Sequence, residues 1–244
     1  MIIKDEGYYF GLGAFETIAV ENGIPCFLEQ HYQRLFRALE FLQVHQSPDN
    51  IRKQVDWALA DQRLQTGRKV LKITVSEKNV DVSIRTNPYT KEDYRKGFLV
   101  SFSKVRRNET SPLTYHKTLN YGDCILEKRH ALEKGFHEAV FLNTKGELAE
   151  GTTTNLFLIK ERKIVTPSLA CGILPGIIRE YLLQTLHVEE KIIFPHDIMQ
   201  YDEMFLTNSL LGIMPVKKIG NYTFKSMDQG TYLARNFCEC CKRY

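Results

Sequence analysis

The chain has 244 residues, 43% of them hydrophobic and 25% charged, proportions that exclude a disordered, collagen-like or low-complexity protein. Its 33 Lys and Arg against 29 Asp and Glu leave a net charge of +4, too small an excess over this length to mark a nucleic-acid-binding surface. The length suits one or two domains with a large core. Met1-Ile2-Ile3 runs straight into Lys4-Asp5-Glu6 without a secretory leader, and no apolar run nears the ~20 residues that cross a bilayer. The expectation is a cytoplasmic protein without a membrane or nucleic-acid partner, its cysteines (Cys26, Cys124, Cys171, Cys238, Cys240 and Cys241) held as thiols. Cys238, Cys240 and Cys241 lack the second pair or nearby histidine that would complete a tetrahedron, so they read as thiols on a terminal helix and no metal is expected.

In chain order, Ala14–Val20 reads as a strand, and Asn22-Gly23 supplies a hairpin turn after it. Leu28, Tyr32, Leu35, Leu39 and Leu42 recur at steps of three and four and predict a helix. Ser47-Pro48 reads as an N-cap with proline at the first helical position, opening a second helix that carries Ile51, Val55, Leu59 and Leu64. Val70–Val75, Val80–Ile84 and Phe98–Phe102 read as strands, the first two as a hairpin. Residues 104–116 are polar and without period, which suggests an interdomain connection or functional loop. A helix from about Tyr121 to Glu133 follows, then strands at Ala139–Asn143, Asn155–Ile159 and Lys163–Val165, and a helix opened by Leu174-Pro175-Gly176. Further strands run to Phe224 before a terminal helix from about Ser226. Strands and helices mixed in both halves predict an α/β (α+β) protein of two lobes: a small one over 1–104, a connection over 105–114, and a larger one over 115–244.

Gly11-Leu12-Gly13 lacks the third glycine and the following helix of a dinucleotide site, and no P-loop, H-E-x-x-H or G-x-S-x-G occurs. His31, inside a helix, reads as a packing or capping histidine. Two turns are more suggestive. Gly172-Ile173-Leu174-Pro175-Gly176 leads into a helix whose first N–H groups favour an anion. Thr207-Asn208-Ser209 offers hydroxyl and amide donors after a strand. Each alone is more often an ordinary connection. Beside them stand Lys117 and Glu150, the latter entering an apolar strand through Gly151 and three threonines. A lysine, an acid and an anion cradle are the parts a pyridoxal phosphate enzyme needs: an imine-forming amine, a partner for the pyridine nitrogen and a phosphate site.

The order Lys117, Glu150-Gly-x-x-[ST]-Asn155-x-Phe157, Gly172-Ile-Leu-x-Gly176 and Thr207-Asn208-Ser209 resembles the fold-type IV pyridoxal phosphate enzymes. That family contains branched-chain and D-amino acid aminotransferases and 4-amino-4-deoxychorismate lyases. Asp5-x-Gly7-Tyr8-x-Phe10-Gly11-x-Gly13-x-Phe15-Glu16-Thr17 and His31-x-x-Arg34-Leu35 extend the resemblance over essentially the whole chain. The resemblance implies a two-lobed, D-amino acid aminotransferase-like fold, pyridoxal 5'-phosphate as cofactor, a small-molecule amine substrate and a homodimer. It makes Lys117 the Schiff-base lysine and proton-transfer base, Glu150 the partner of the pyridine nitrogen, and Arg34 a phosphate ligand. Ile177 and Ile178 would offer backbone N–H groups to the phosphate and Ser209 its hydroxyl. Tyr121 would lie near the ring hydroxyl, and Thr154, Asn155 and Asn208 complete the cofactor set. Ile178 stands where many members have threonine. A strand pair usual before the D-x-G motif is missing, which implies a small-lobe sheet with fewer strands and an exposed edge.

Within the family the sequence leans toward the lyase. Thr207-Asn208-Ser209-Leu210-x-Gly212-Ile213-x-Pro215-Val216 is similar to the lyase form of this turn, whereas transaminases more often carry Gly-Thr in place of Asn208-Ser209. Arg106-Arg107-Asn108 also resembles bacterial lyases, and the arginine-x-histidine trap of D-amino acid aminotransferases is absent. Thr17 is then the hydroxyl that assists proton transfer to the leaving enolpyruvyl group. Arg107, with Arg106 as substitute, is expected to bind a substrate carboxylate. A branched-chain or D-amino acid aminotransferase is the alternative, and a non-catalytic pyridoxal phosphate-binding protein a further one.

Overall fold

The computed structural model describes residues 2–240 and groups them into two compact units. One comprises the residues up to Pro88 with His116–Tyr121; the other comprises Tyr89–Tyr115 with Gly122–Glu239.

The first unit opens with a helical turn, α1 (Glu6–Phe10), capped by Asp5, whose side chain accepts from Tyr8 N–H. The hairpin of β1 (Gly13–Glu21) and β2 (Ile24–Pro25) follows, joined by the Asn22-Gly23 turn. Helices α2 (Leu28–Phe41) and α3 (Pro48–Leu59) come next, the latter capped by Ser47 with Pro48 in its first turn. The strands β3 (Arg68–Ser76) and β4 (Asn79–Thr86) complete an antiparallel sheet ordered β2-β1-β3-β4. Successive strand residues face opposite sides. Ile18 and Val20 of β1 and Leu71, Ile73 and Val75 of β3 therefore meet Leu35 and Leu39 of α2 and Ile51 and Val55 of α3 in one core. Glu16 shares that covered side, whereas Phe15 and Thr17 face the other way.

The second unit contains α4 (Lys91–Lys96), a short helix with a Thr90–Asp93 capping box that its lack of apolar period concealed. Then come β5 (Phe98–Arg107), α5 (Gly122–Glu133), β6 (Glu138–Asn143), β7 (Leu148–Gly151), β8 (Asn155–Lys160) and β9 (Lys163–Pro167). The remainder is α6 (Ile177–Thr185), β10 (Val188–Lys191), β11 (Glu203–Asn208), β12 (Gly212–Ile219), β13 (Tyr222–Thr223) and α7 (Asp228–Cys240). The sheet runs β10-β9-β8-β11-β12-β5-β6-β7, with β13 on β12. Its pairings β10–β9, β12–β5 and β5–β6 are parallel and the rest antiparallel. Phe98, Val100, Val140, Leu156, Leu158, Leu206 and Val216 belong to its buried core.

The first unit ends at Pro88 and takes in His116–Tyr121, whereas the sequence drew the small lobe to residue 104 and began the larger one at 115. The expected strand Phe98–Phe102 continues to Arg107 as β5, between β12 and β6, so residues 104–107 are sheet rather than connection. A polar composition conceals a strand whose alternate residues are exposed. Cys26, Cys124 and Cys171 are buried, and of the C-terminal cysteines Cys241 lies outside the described residues. Among the described residues no helix is long and apolar enough to cross a membrane, and no cluster of His, Cys, Asp and Glu is placed to hold a metal.

Candidate active-site residues

In the first unit, residues 117–119 add a short antiparallel bridge to the start of β1. Phe15 N–H donates to Lys117 O at 3.0 Å, Leu119 N–H donates to Gly13 O at 2.8 Å, and Ala14 pairs with Thr118. His116 stacks on Phe41 with ring centroids 4.2 Å apart. The Lys117 backbone is thus held on both sides. Its Nζ lies 4.3 Å from the centre of the Phe15 ring and 4.8 Å from that of Tyr121, and the two rings meet edge to face. Such contacts restrict where the amine sits. Tyr121 precedes α5 rather than opening it. Thr17 shares the strand face of Phe15 and lies opposite Lys72 of β3.

On the covered side of the sheet, Arg34 donates from Nε to Glu16 Oε1 and from Nη2 to Glu16 Oε2, each at 2.7 Å. His31 Nδ1 lies 2.6 Å from Glu16 Oε2, and both His31 and Glu16 are fully buried. Burial works against the charge on Glu16, yet the Arg34 guanidinium and His31 hold its carboxyl well below the usual carboxylate range. Burial pushes the His31 imidazole down, with Glu16 opposing, so the ring is neutral near pH 7 and its Nδ1–H donates to Glu16. His31 is thus the packing histidine the sequence suggested, with an ionic partner that sequence reasoning did not find. The F-E-T and H-x-x-R motifs held the signal, since they supply the carboxylate and both its partners.

In the second unit, Glu150 is the last residue but one of β7 and is 5% exposed. Its Oε1 accepts from Arg107 Nη2 at 2.6 Å and Nε at 3.0 Å; its Oε2 accepts from Leu174 N–H at 2.9 Å and Asn155 Nδ2 at 3.5 Å. Asn155 Nδ2 also donates to Leu174 O at 2.9 Å. The acid and the Gly172–Gly176 turn are therefore one construction. Gly172 has φ +81°, and a Cβ there would stand 2.7 Å from Glu109 Cα; a Cβ on Gly176 would stand 2.0 Å from Asn155 Oδ1. Arg107 was expected at a substrate carboxylate, but the structure turns it to Glu150. Arg106, the next residue along β5, projects from the opposite strand face and is exposed. Neither arginine could be assigned from sequence, because the pairing joins residues far apart in the chain.

Gly176 caps α6 without a side-chain hydrogen bond, which leaves the first-turn amides of Ile177 and Ile178 to an outside acceptor. Asn208 Nδ2 donates to Thr153 O at 3.1 Å, and its Oδ1 accepts from Leu210 and Leu211 N–H at 2.9 Å each, ordering the turn that carries Ser209. The hydroxyls of Thr154 and Thr207 are buried without a hydrogen-bond partner, on residues that adjoin and form the Asn155–Thr207 strand pair. An uncapped helix start and orphaned hydroxyls beside a buried carboxylate fit a phosphate-bearing group with a basic ring nitrogen.

Residues 13–219 match the family described as amino-transferase class IV. A Thermotoga maritima protein described as "probable branched-chain-amino-acid aminotransferase" is 30% identical over 228 residues, covering 90% of this chain and 82% of its own. The aminodeoxychorismate lyase of Bacillus subtilis is 28% identical over 246 residues, covering 91% and 82%. A solved Legionella pneumophila structure described as "putative 4-amino-4-deoxychorismate lyase" superposes with a TM-score of 0.81 at 27% identity, covering 94% of this chain and 92% of its own.

Proposed function

Because the chain belongs to the aminotransferase class IV family, whose members are pyridoxal phosphate-dependent enzymes, we propose that it is a 4-amino-4-deoxychorismate lyase of folate biosynthesis. It releases 4-aminobenzoate and pyruvate. The observation that carries the subclass is Asn208, which stands where transaminases more often have glycine. Its side chain makes the three bonds that order the 208–211 turn, and glycine has no side chain to make any of them.

Pyridoxal phosphate supplies an electron sink for the carbon bearing the substrate nitrogen. In this reading Lys117 anchors the cofactor, and its neutral amine takes the proton from that carbon. The Thr17 hydroxyl passes a proton to the departing enolpyruvyl oxygen. Glu150 keeps the proton on the pyridine nitrogen, and Arg107 fixes the orientation of Glu150. Arg34, the Ile177 and Ile178 amides and the Ser209 hydroxyl hold the phosphate. Tyr121, Thr154, Asn155 and Asn208 line the cofactor. The reading includes a cytoplasmic homodimer, which sizing of the purified protein tests against the 28.3 kDa chain mass.

Incubation with aminodeoxychorismate decides the subclass: equimolar 4-aminobenzoate and pyruvate support the lyase. The Thermotoga maritima relative favours a second reading, a branched-chain or D-amino acid aminotransferase. No product from aminodeoxychorismate, with keto acid formed from leucine or D-alanine, establishes that reading instead.

A further inference from the structure

Glu138, at the start of β6, is a fully buried carboxylate that no assigned role uses. Five donors converge on it. Thr152 N–H at 3.2 Å (shared with Ala139 O at 2.9 Å), the Thr152 hydroxyl and Ala139 N–H at 3.0 Å meet Oε1; the Thr153 hydroxyl at 2.9 Å and Lys128 Nζ at 3.3 Å meet Oε2. A Cβ on Gly151 would lie 3.2 Å from Glu138 Cγ, so the chain just after Glu150 is pressed against this group. The constraint continues beyond the first turn. Thr153 O receives Asn208 Nδ2, and Asn208 Oδ1 holds the Leu210 and Leu211 amides. One buried anion thereby joins the turn after Glu150 to the turn that carries Ser209.

We propose that Glu138 is a positioning residue that sets both turns of the cofactor cradle together, acting through Thr152, Thr153 and Asn208. The role rests on reading residues 150–155 and 207–211 as that cradle. Charge-assisted bonds to a buried carboxylate are stronger than neutral ones, and a group with fewer acceptor sites cannot satisfy five donors.

The test is Glu138→Gln, which keeps the volume but offers a single acceptor oxygen. Amide exchange is followed in the cofactor-free protein, and pyridoxal phosphate affinity is followed by absorbance titration. The expected result is exchange about tenfold faster at Thr152, Leu210 and Leu211, and affinity weaker by about tenfold, the scale of one lost charge-assisted hydrogen bond. In an Asn208→Ala background the effect of Glu138→Gln on Leu210 and Leu211 disappears, while that on Thr152 persists. Thr153→Val retains every charge and reproduces the pattern with smaller amplitude, which keeps the test available if Glu138→Gln does not fold. Faster exchange at Thr152 with Leu210 and Leu211 unchanged overturns the relay. Changed exchange at both turns with unchanged affinity overturns the positioning role. A wild-type protein that takes up no pyridoxal phosphate overturns the cofactor reading instead, and the exchange data still judge the relay.

Discussion

Replacing Glu16 with glutamine isolates the buried charge cluster on the covered side of the β1 strand. The wild-type carboxylate accepts two bonds from Arg34, each at 2.7 Å, and one from His31 at 2.6 Å. Glutamine retains one acceptor oxygen, and its NH2 group faces a donor. Removing one member of a buried ion pair costs about 3–5 kcal/mol, because the other charge stays buried and unpaired. For a chain of this size each kcal/mol lowers Tm by about 2–4 °C, so a fall of roughly 6–20 °C is expected at pH 7. The pH dependence adds a second check. The folded pKa of Glu16 is depressed, so its stabilisation is present above the ordinary value of about 4.3 and is lost as pH falls below it. His31 is also depressed: the unfolded chain takes up its proton below about 6.5 while the folded one resists, so it too costs stability on acidification. Calorimetry from pH 7 to pH 3 should show wild-type Tm falling throughout, and Glu16→Gln losing the component below about pH 4.5. A variant within 2 °C of wild type at pH 7, or with an undiminished acid slope, refutes the reasoning.

Gly176→Ala places a Cβ 2.0 Å from Asn155 Oδ1, so Asn155 must shift; stability measured by denaturant should fall by about 1–3 kcal/mol, with weaker cofactor uptake. Asp5 accepts from Ser76, Lys78, Tyr8 and Asn79, and although burial opposes its charge these bonds hold its pKa at about 2. Asp5→Ala should destabilise by about 1–3 kcal/mol at pH 7, and the difference in denaturation midpoint should shrink as pH falls below about 3.9 toward the folded pKa. Arg107→Met leaves Glu150 Oε1 without its guanidinium partner, so kcat/KM should fall about 10- to 100-fold while the melting curve stays cooperative.

Local chemistry made much of this fold readable. Alternation through Ile18 and Val20, the Asn22-Gly23 turn and the Ser47-Pro48 cap each act over a few residues, and each produced its element. The α1 turn escaped because Glu6–Phe10 has no apolar period and is held by Asp5 on Ser76 and Asn79, far along the chain. The expected lobe boundary fell in the polar stretch around residue 104, but parallel pairing with β6 and β12 draws those residues into a sheet. The candidate site residues form an ordered set of motifs along the sequence. Their partners are less visible there: Arg107 on Glu150 and Glu138 beneath Thr152 and Thr153 are pairings across the chain that leave no local trace, and Glu16 with Arg34 and His31 shows only as two separate motifs.

The most direct test of the central assignment is to locate the lysine that carries the cofactor. The purified protein is incubated with pyridoxal phosphate, reduced with borohydride to fix the cofactor covalently, digested and mapped by mass spectrometry. The account predicts a visible absorption band before reduction and the phosphopyridoxyl group on Lys117 alone after it, with both absent from Lys117→Ala. A label on another lysine, or a protein that takes up no cofactor, contradicts it.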